Sequence, residues 1–351
     1  MRTTQSRANV RIHSYYPAVI TLLIGLSLIC HNSRAGESVS LVMDIDHPPG
    51  KMVDVGGYQL HIHCLGNGAP TIILESGIGG FSLEWMDIQA SLSKQATVCS
   101  YDRAGYGWSQ RSPLPRTART MARELDTLLI NAGIPGPYLL AGHSFGGYII
   151  RYYAQRHPEK VIGLVMIDAS HPEQFKYFPK LAKVESRKHE HPRSYTTRVT
   201  RPAYPSNYPE AVRHLAYMLM IRNRTVDVQL QEVMLFEESA RQLVKLGNHL
   251  PDIPVTVLSR GNRVWPANRY GDAMEIAWEF LQQDLATLTP HTSRIVVADS
   301  GHAIHLEQSG AVASLIMDNV LSAHWLAARS NLVAGVTPGS ALLAAFNPPL
   351  R

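Results

Sequence analysis

Three short stretches constrain the fold more than anything else in this chain. Thr71 to Leu74, Tyr138 to Ala141 and Val161 to Ile167 are continuous, largely apolar runs with no polar face. A strand with one wet surface alternates apolar with polar residues, so an uninterrupted run reads as a strand covered on both sides. Val98 to Tyr101, Val255 to Leu258 and Arg294 to Ala298 repeat the signal more weakly. Helical patterns separate the runs, as in Thr117 to Ala132, where Met121, Leu125, Leu128 and Leu129 fall on one face. This alternation predicts an α/β fold: a mostly parallel sheet, covered by helices on both faces, that binds ligands at the carboxyl ends of its strands.

Two segments depart from that rhythm. Met52 to Leu65 reads as a hairpin turning at Gly56-Gly57, with Tyr58, Leu60, Ile62 and Cys64 inward and Gln59, His61 and His63 on a solvated face. His171 to Leu250 holds no convincing strand. It begins polar, basic and proline-containing, then turns helical over Pro209 to Arg222 and Val226 to Leu246, which marks it as a helical cap inserted into the domain. The expected organisation is an α/β core over 36–170 and 251–330, the cap over 171–250, and a tail over 331–351 to which the sequence gives no role.

The 351 residues suit one α/β core with an insertion, and 45% hydrophobic with 17% charged residues is ordinary globular composition. A net charge of +5 raises nucleic acid as a partner. Much of that charge is local, around the N-terminal segment and from Lys176 to Arg201, and no arginine-rich helix or aromatic-basic ribbon accompanies it, so nucleic-acid binding is not expected. Arg2, Arg7 and Arg11 precede an apolar stretch, Ala18 to Cys30, followed by small and polar residues. Residues 1–35 therefore read as a signal peptide, cleaved before Gly36, or as an uncleaved N-terminal anchor, which predicts an exported protein, periplasmic or secreted, with membrane association through 18–30 as the alternative. Cys30 as a lipidation site is disfavoured by the bulky Ile29 before it. After cleavage Cys64 and Cys99 remain, as two buried thiols or one disulfide.

Gly142-His143-Ser144-Phe145-Gly146 follows the run Tyr138 to Ala141 and precedes a helical stretch, Tyr148 to His157, that Pro158 stops. A serine hydroxyl is a poor nucleophile unless it is held out on a sharp strand-to-helix turn, and flanking glycines permit that backbone. Three further motifs follow the same order along the chain: Ser76-Gly77-Ile78-Gly79-Gly80, the segment Tyr101-Asp102-Arg103-Ala104-Gly105-Tyr106-Gly107, and Ser300-Gly301-His302 with Leu306-Glu307 behind it. With these, the chain resembles an α/β-hydrolase over roughly Val53 to Asn319.

The resemblance implies Ser144 as nucleophile and His302 as general base. It also implies an oxyanion hole of backbone N–H groups from Phe145 and from the Gly77-Ile78 turn. The usual place for the acid, after the seventh strand, reads Gly261-Asn262-Arg263-Val264-Trp265 and holds no carboxylate. Asp168, at the end of the sixth strand, is the expected substitute, with Asp272 or Glu275 as alternatives. Asp102 and Arg103 are expected to brace a turn. His61 and His63 share a strand face as metal ligands do, but no third ligand is evident, so neither metal nor other cofactor is expected. The family's strand order would place Cys64 opposite Cys99, which favours a disulfide. By the same resemblance the serine sets this chain apart from branches that attack with aspartate. The expected activity is a serine hydrolase acting on a small-molecule ester or related acyl substrate. Aminopeptidase, lactonase or carbon–carbon hydrolase chemistry would use the same residues, and a ligand- or partner-binding protein on a hydrolase scaffold is the reading from another class.

Overall fold

The fold is taken from a computed structural model that describes residues 44–178, 205–247 and 250–333. The expected leader over 1–35, most of the basic cluster and nearly all of the tail lie outside the described residues. The hairpin strands β1 (Lys51–Asp54) and β2 (Gln59–Leu65) start a single sheet. β3 (Thr71–Glu75), β4 (Thr97–Tyr101), β5 (Tyr138–His143), β6 (Val161–Ile167), β7 (Val255–Arg260) and β8 (Thr292–Val297) complete it. Across the sheet the order is β1-β2-β4-β3-β5-β6-β7-β8. The pairs β1–β2 and β2–β4 are antiparallel and every later pair is parallel. Each of the six apolar runs is a strand.

The helices follow the chain as α1 (Met86–Leu92), α2 (Ala118–Asn131), α3 (Gly146–Arg156), α4 (Gln174–Tyr177), α5 (Glu210–Met220), α6 (Asn223–Met234), α7 (Phe236–Leu246), α8 (Arg269–Leu285), α9 (Ile304–Glu307) and α10 (Ser309–Val333). Thr117 caps α2 by accepting the Thr120 N–H. Strand side chains alternate between two apolar layers. On one face Ile73, Leu140, Leu164 and Val257 pack with Met121 and Leu125 of α2, Ile149 and Ile150 of α3, and Ala240 and Leu243 of α7. On the other, Ile72, Leu139, Val165 and Leu258 pack with Ile88 and Leu92 of α1 and Val312, Ile316 and Val320 of α10. Each of these Leu and Ile side chains, removed from water, contributes about 1.5–3 kcal/mol, and the two-sided packing explains why the runs carry no polar face. By length and composition Ser309–Arg329 would serve as a membrane span, yet its Val312, Ile316 and Val320 line the core.

Between β6 and β7 the described residues form only helices. They divide by what they cover: α7 packs on α2 and α3, while α5 and α6 lie over the turns that follow β3 and β4, with Val228 against Gly105 and Gln229 beside Gly79.

One expectation is corrected. The β2 face carrying His61 is solvated only in part: Gln59 is exposed and His63 half-buried, but His61 is fully buried beside Trp108, with Nδ1 2.9 Å from an Asp102 carboxylate oxygen and Nε2 on the Pro49 carbonyl. The reason is the chain from Asp44 to Pro49 and the turn Asp102 to Ser109, which cover that end of the hairpin. Burial favours the neutral ring, but Asp102 and the Pro49 carbonyl outweigh it and raise the His61 pKa. Two acceptors on two ring nitrogens are satisfied together only by the imidazolium, which leaves no lone pair for a metal.

Cys64 and Cys99 are directly opposed in the β2–β4 pair and form a disulfide closing a 35-residue separation. Cross-linking a loop of this length stabilises by about 3–4 kcal/mol, chiefly by restricting the unfolded chain. Reductant is therefore expected to lower the urea midpoint of the wild-type protein and to leave that of a Cys64→Ala/Cys99→Ala variant unchanged. Equal midpoints for wild type with and without reductant would contradict the bridge.

Candidate active site

The turn from β5 into α3 holds Ser144 at φ +52°, the left-handed region that a side chain other than glycine enters at a cost of about 1–3 kcal/mol. Its neighbours must be glycine for reasons of space. A Cβ on Gly142 would lie 2.9 Å from the backbone of Gly146, and one on Gly146 would lie 2.7 Å from the Glu75 carbonyl oxygen. The bend lifts the Ser144 hydroxyl off the sheet and aims the N-terminus of α3 at the same point, where a developing anion is favoured.

His302 arrives from the segment between β8 and α9, and its Nε2 lies 3.0 Å from Ser144 Oγ. Its Nδ1 lies 2.6 Å from Oδ2 of Asp168, which follows β6 directly at φ +38°. Asp168 is fully buried and richly bonded. Arg260 Nη1 donates to Oδ2 at 2.8 Å and the Trp278 indole N–H to Oδ1 at 2.9 Å. Burial by itself would raise the carboxyl pKa. His302, Arg260 and Trp278 together outweigh burial and hold it below the usual range, so the group is a carboxylate.

The sequence alternatives for the acid lie elsewhere. Asp272 is exposed and pairs with Arg263 at 2.8 Å. Glu275 accepts from Arg260 Nη2 at 3.0 Å and from the backbone N–H groups of Val264 and Trp265. The strand end that commonly carries the acid carries Arg260 instead, stacked on Trp265 and Trp278 with its guanidinium carbon 4.6 and 5.0 Å from the ring centroids. Sequence reading missed Arg260 and Trp278. The visible signal was an arginine closing an apolar strand, a position where an unpaired charge would be costly.

Gly77 abuts the serine: a Cβ there would lie 3.2 Å from Ser144 Cβ. Neither the Phe145 nor the Ile78 backbone N–H meets a backbone or side-chain acceptor among the described residues, so both are free to donate to a reacting oxygen. Ser76 accepts the Trp85 indole N–H at 2.9 Å. Arg103 holds the same turn from below. Its guanidinium donates to the carbonyls of Ser76 and Gly77, to Glu75, and through two nitrogens at 2.9 Å to Glu232 of α6. Asp102 accepts the backbone N–H groups of Ser82 and Trp108, both at 2.9 Å. Both residues brace turns, as the motif suggested. His143, next to Ser144, bonds through Nε2 to the His302 carbonyl at 2.9 Å. Burial, then the neighbouring His305 and His302, hold its pKa well below that of a free imidazole, so it is neutral.

A serine on a strained strand-to-helix bend, a histidine in contact with it and a buried carboxylate behind the histidine, on an eight-stranded mostly parallel sheet, fit the α/β-hydrolase fold. Comparison with known proteins agrees. The sequence pattern of the alpha/beta hydrolase fold matches residues 70–235. The chain is 27% identical over 271 residues to the uncharacterized protein YqjL of Bacillus subtilis, across 76% of this chain and 90% of that one. Among solved structures, Cfl2 of Burkholderia cenocepacia superposes with a TM-score of 0.59 at 22% identity, covering 76% of this chain and 94% of that one. The enol-lactonase of Burkholderia xenovorans gives 0.56 at 18%, covering 77% and 100%. The chain has the α/β-hydrolase fold.

Proposed function

We propose that the protein is a serine hydrolase that cleaves an ester or related acyl bond. The observation that carries this reading is the continuous contact from Ser144 Oγ through His302 to Asp168, at 3.0 and 2.6 Å. In that arrangement His302 takes the hydroxyl proton as Ser144 attacks the acyl carbon, and Asp168 fixes the ring with its N–H on Nδ1 and stabilises the imidazolium. The oxyanion formed is met by the Phe145 and Ile78 N–H groups, while His302 passes its proton to the leaving group. Water, deprotonated by the same imidazole, then releases the acyl group and restores the serine. Every proton transfer is carried by this chain's side chains.

Substrate choice falls to the helical insertion and to the aromatic side chains beside His302: Trp278 lies 6.0 Å from its ring, and Trp265 and Phe178 pack on Trp278. This lining supports an apolar acyl or alcohol group. The enol-lactonase likeness adds lactones to the substrates worth trying. The disulfide and the leader-like N-terminus support an exported protein working in an oxidising compartment. The binding-protein reading has in its favour only the lack of a carboxylate after β7, and the contact of Asp168 with His302 supports catalysis over it.

The test is labelling with a fluorophosphonate probe, followed by a panel of p-nitrophenyl esters, amides and lactones. Covalent modification at Ser144 with turnover of at least one ester or lactone is expected. A folded protein that neither labels at Ser144 nor hydrolyses any of them would overturn the reading.

A further inference from the structure

We propose that Glu84, His143 and His305 form a binding site for a divalent transition-metal ion of the Zn²⁺ type, set behind Ser144 and separate from the serine–histidine–aspartate contact. The three residues come from distant parts of the chain: Glu84 from the turn Ser82–Trp85 after β3, His143 from the end of β5, and His305 from α9. One oxygen or nitrogen from each lies within 4.8 Å of the others. All three are buried, at 6%, 8% and 1% exposure.

Burial makes their hydrogen bonding decisive, because buried polar atoms are nearly always partnered. Here several are not. Neither ring nitrogen of His305 makes a hydrogen bond, and neither does Oε1 of Glu84. The nearest approach between them is 3.5 Å, from His305 Nε2 to that oxygen. The other Glu84 oxygen accepts the Tyr208 hydroxyl at 3.3 Å, which orients the carboxylate. His143 spends Nε2 on the His302 carbonyl, leaving Nδ1 with its lone pair for a ligand. Trp85 packs on the His305 ring, with centroids 4.5 Å apart, and keeps it from turning away to another partner.

Two imidazoles and one carboxylate are a donor set that suits Zn²⁺, with a water completing four-coordination. Metal–ligand bonds of about 2.0–2.2 Å require donors somewhat closer than the present spread, a contraction that side-chain rotation supplies. A bound ion gives a partner to Glu84 Oε1, to one ring nitrogen of His305 and to His143 Nδ1 at once. It also ties the segment after β8, which carries His302, to the turn after β3.

The experiment titrates the full-length protein with Co²⁺, reading the visible ligand-field bands, and with Zn²⁺ by equilibrium dialysis. One ion per chain is expected. Glu84→Gln and His305→Gln, each checked for folding by a thermal melt without metal, are expected to weaken binding roughly tenfold or more, since even partners one shell further out change affinity by about that much. His302→Ala is expected to keep the ion, which separates this site from metal capture by the imidazole facing Ser144. No stoichiometric uptake by the folded wild type, equal uptake by folded Glu84→Gln and His305→Gln, or loss of the ion in His302→Ala would each overturn the proposal.

Discussion

Replacing Ser144 by alanine is expected to lower kcat on whichever ester proves to be turned over by about 10⁶-fold, the scale seen when the nucleophile of a serine–histidine–aspartate unit is removed. The loss should be chemical rather than structural. Ser144 sits at φ +52° and Oγ makes its contact with His302, so alanine keeps the bend while deleting the attacking atom. Fluorophosphonate labelling should vanish and the thermal midpoint should change little. A His302→Ala variant should lose a similar amount, and the double variant little more, because the two act as one unit. A Ser144→Ala variant that retained a tenth of wild-type turnover would remove the serine from the mechanism.

Asp168→Asn comes next in size, with a fall in kcat of about 10⁴-fold, because the amide no longer selects the tautomer of His302 that can accept a proton from Ser144. Its effect on stability has a pH signature. The folded pKa of Asp168 is depressed, so the carboxylate stabilises the native state above the unfolded value of about 3.9 and loses that contribution as pH falls through the folded value. Urea midpoints of the wild type should therefore drop on acidification below about pH 4 more steeply than those of Asp168→Asn. At neutral pH the variant should be the less stable protein, since Arg260 loses its anionic partner at 2.8 Å and keeps only Glu275. Parallel acid titrations of the two would contradict the assigned charge state.

The strands were legible because two-sided burial leaves an unmistakable mark: Thr71 to Leu74 and Val161 to Ile167 had no face to give to water. The bend at Ser144 was legible for a related reason, since the glycines at 142 and 146 are required by contacts of 2.9 and 2.7 Å that no other residue tolerates. Long-range pairings leave no such local mark. Nothing in the pattern Leu258-Ser259-Arg260 says that the arginine meets Asp168, 92 positions earlier, and nothing around His305 announces Glu84. The hairpin misled for the opposite reason: alternation correctly gave the strand, but the cover on its polar face comes from Pro49 and Asp102, which lie outside the repeating pattern.

Arg103 joins what a diagram would draw as separate parts. One buried guanidinium grips the carbonyls of Ser76 and Gly77 and, at the same time, a carboxylate on the inserted helix α6, where the Tyr106 hydroxyl also binds at 2.9 Å. The insertion is thus bolted to the loop beside Ser144 and is not a freely swinging door. Grafting in the equivalent helices of another hydrolase to change selectivity would slow the chemistry as well as alter affinity, unless the graft brings an acid to the place of Glu232.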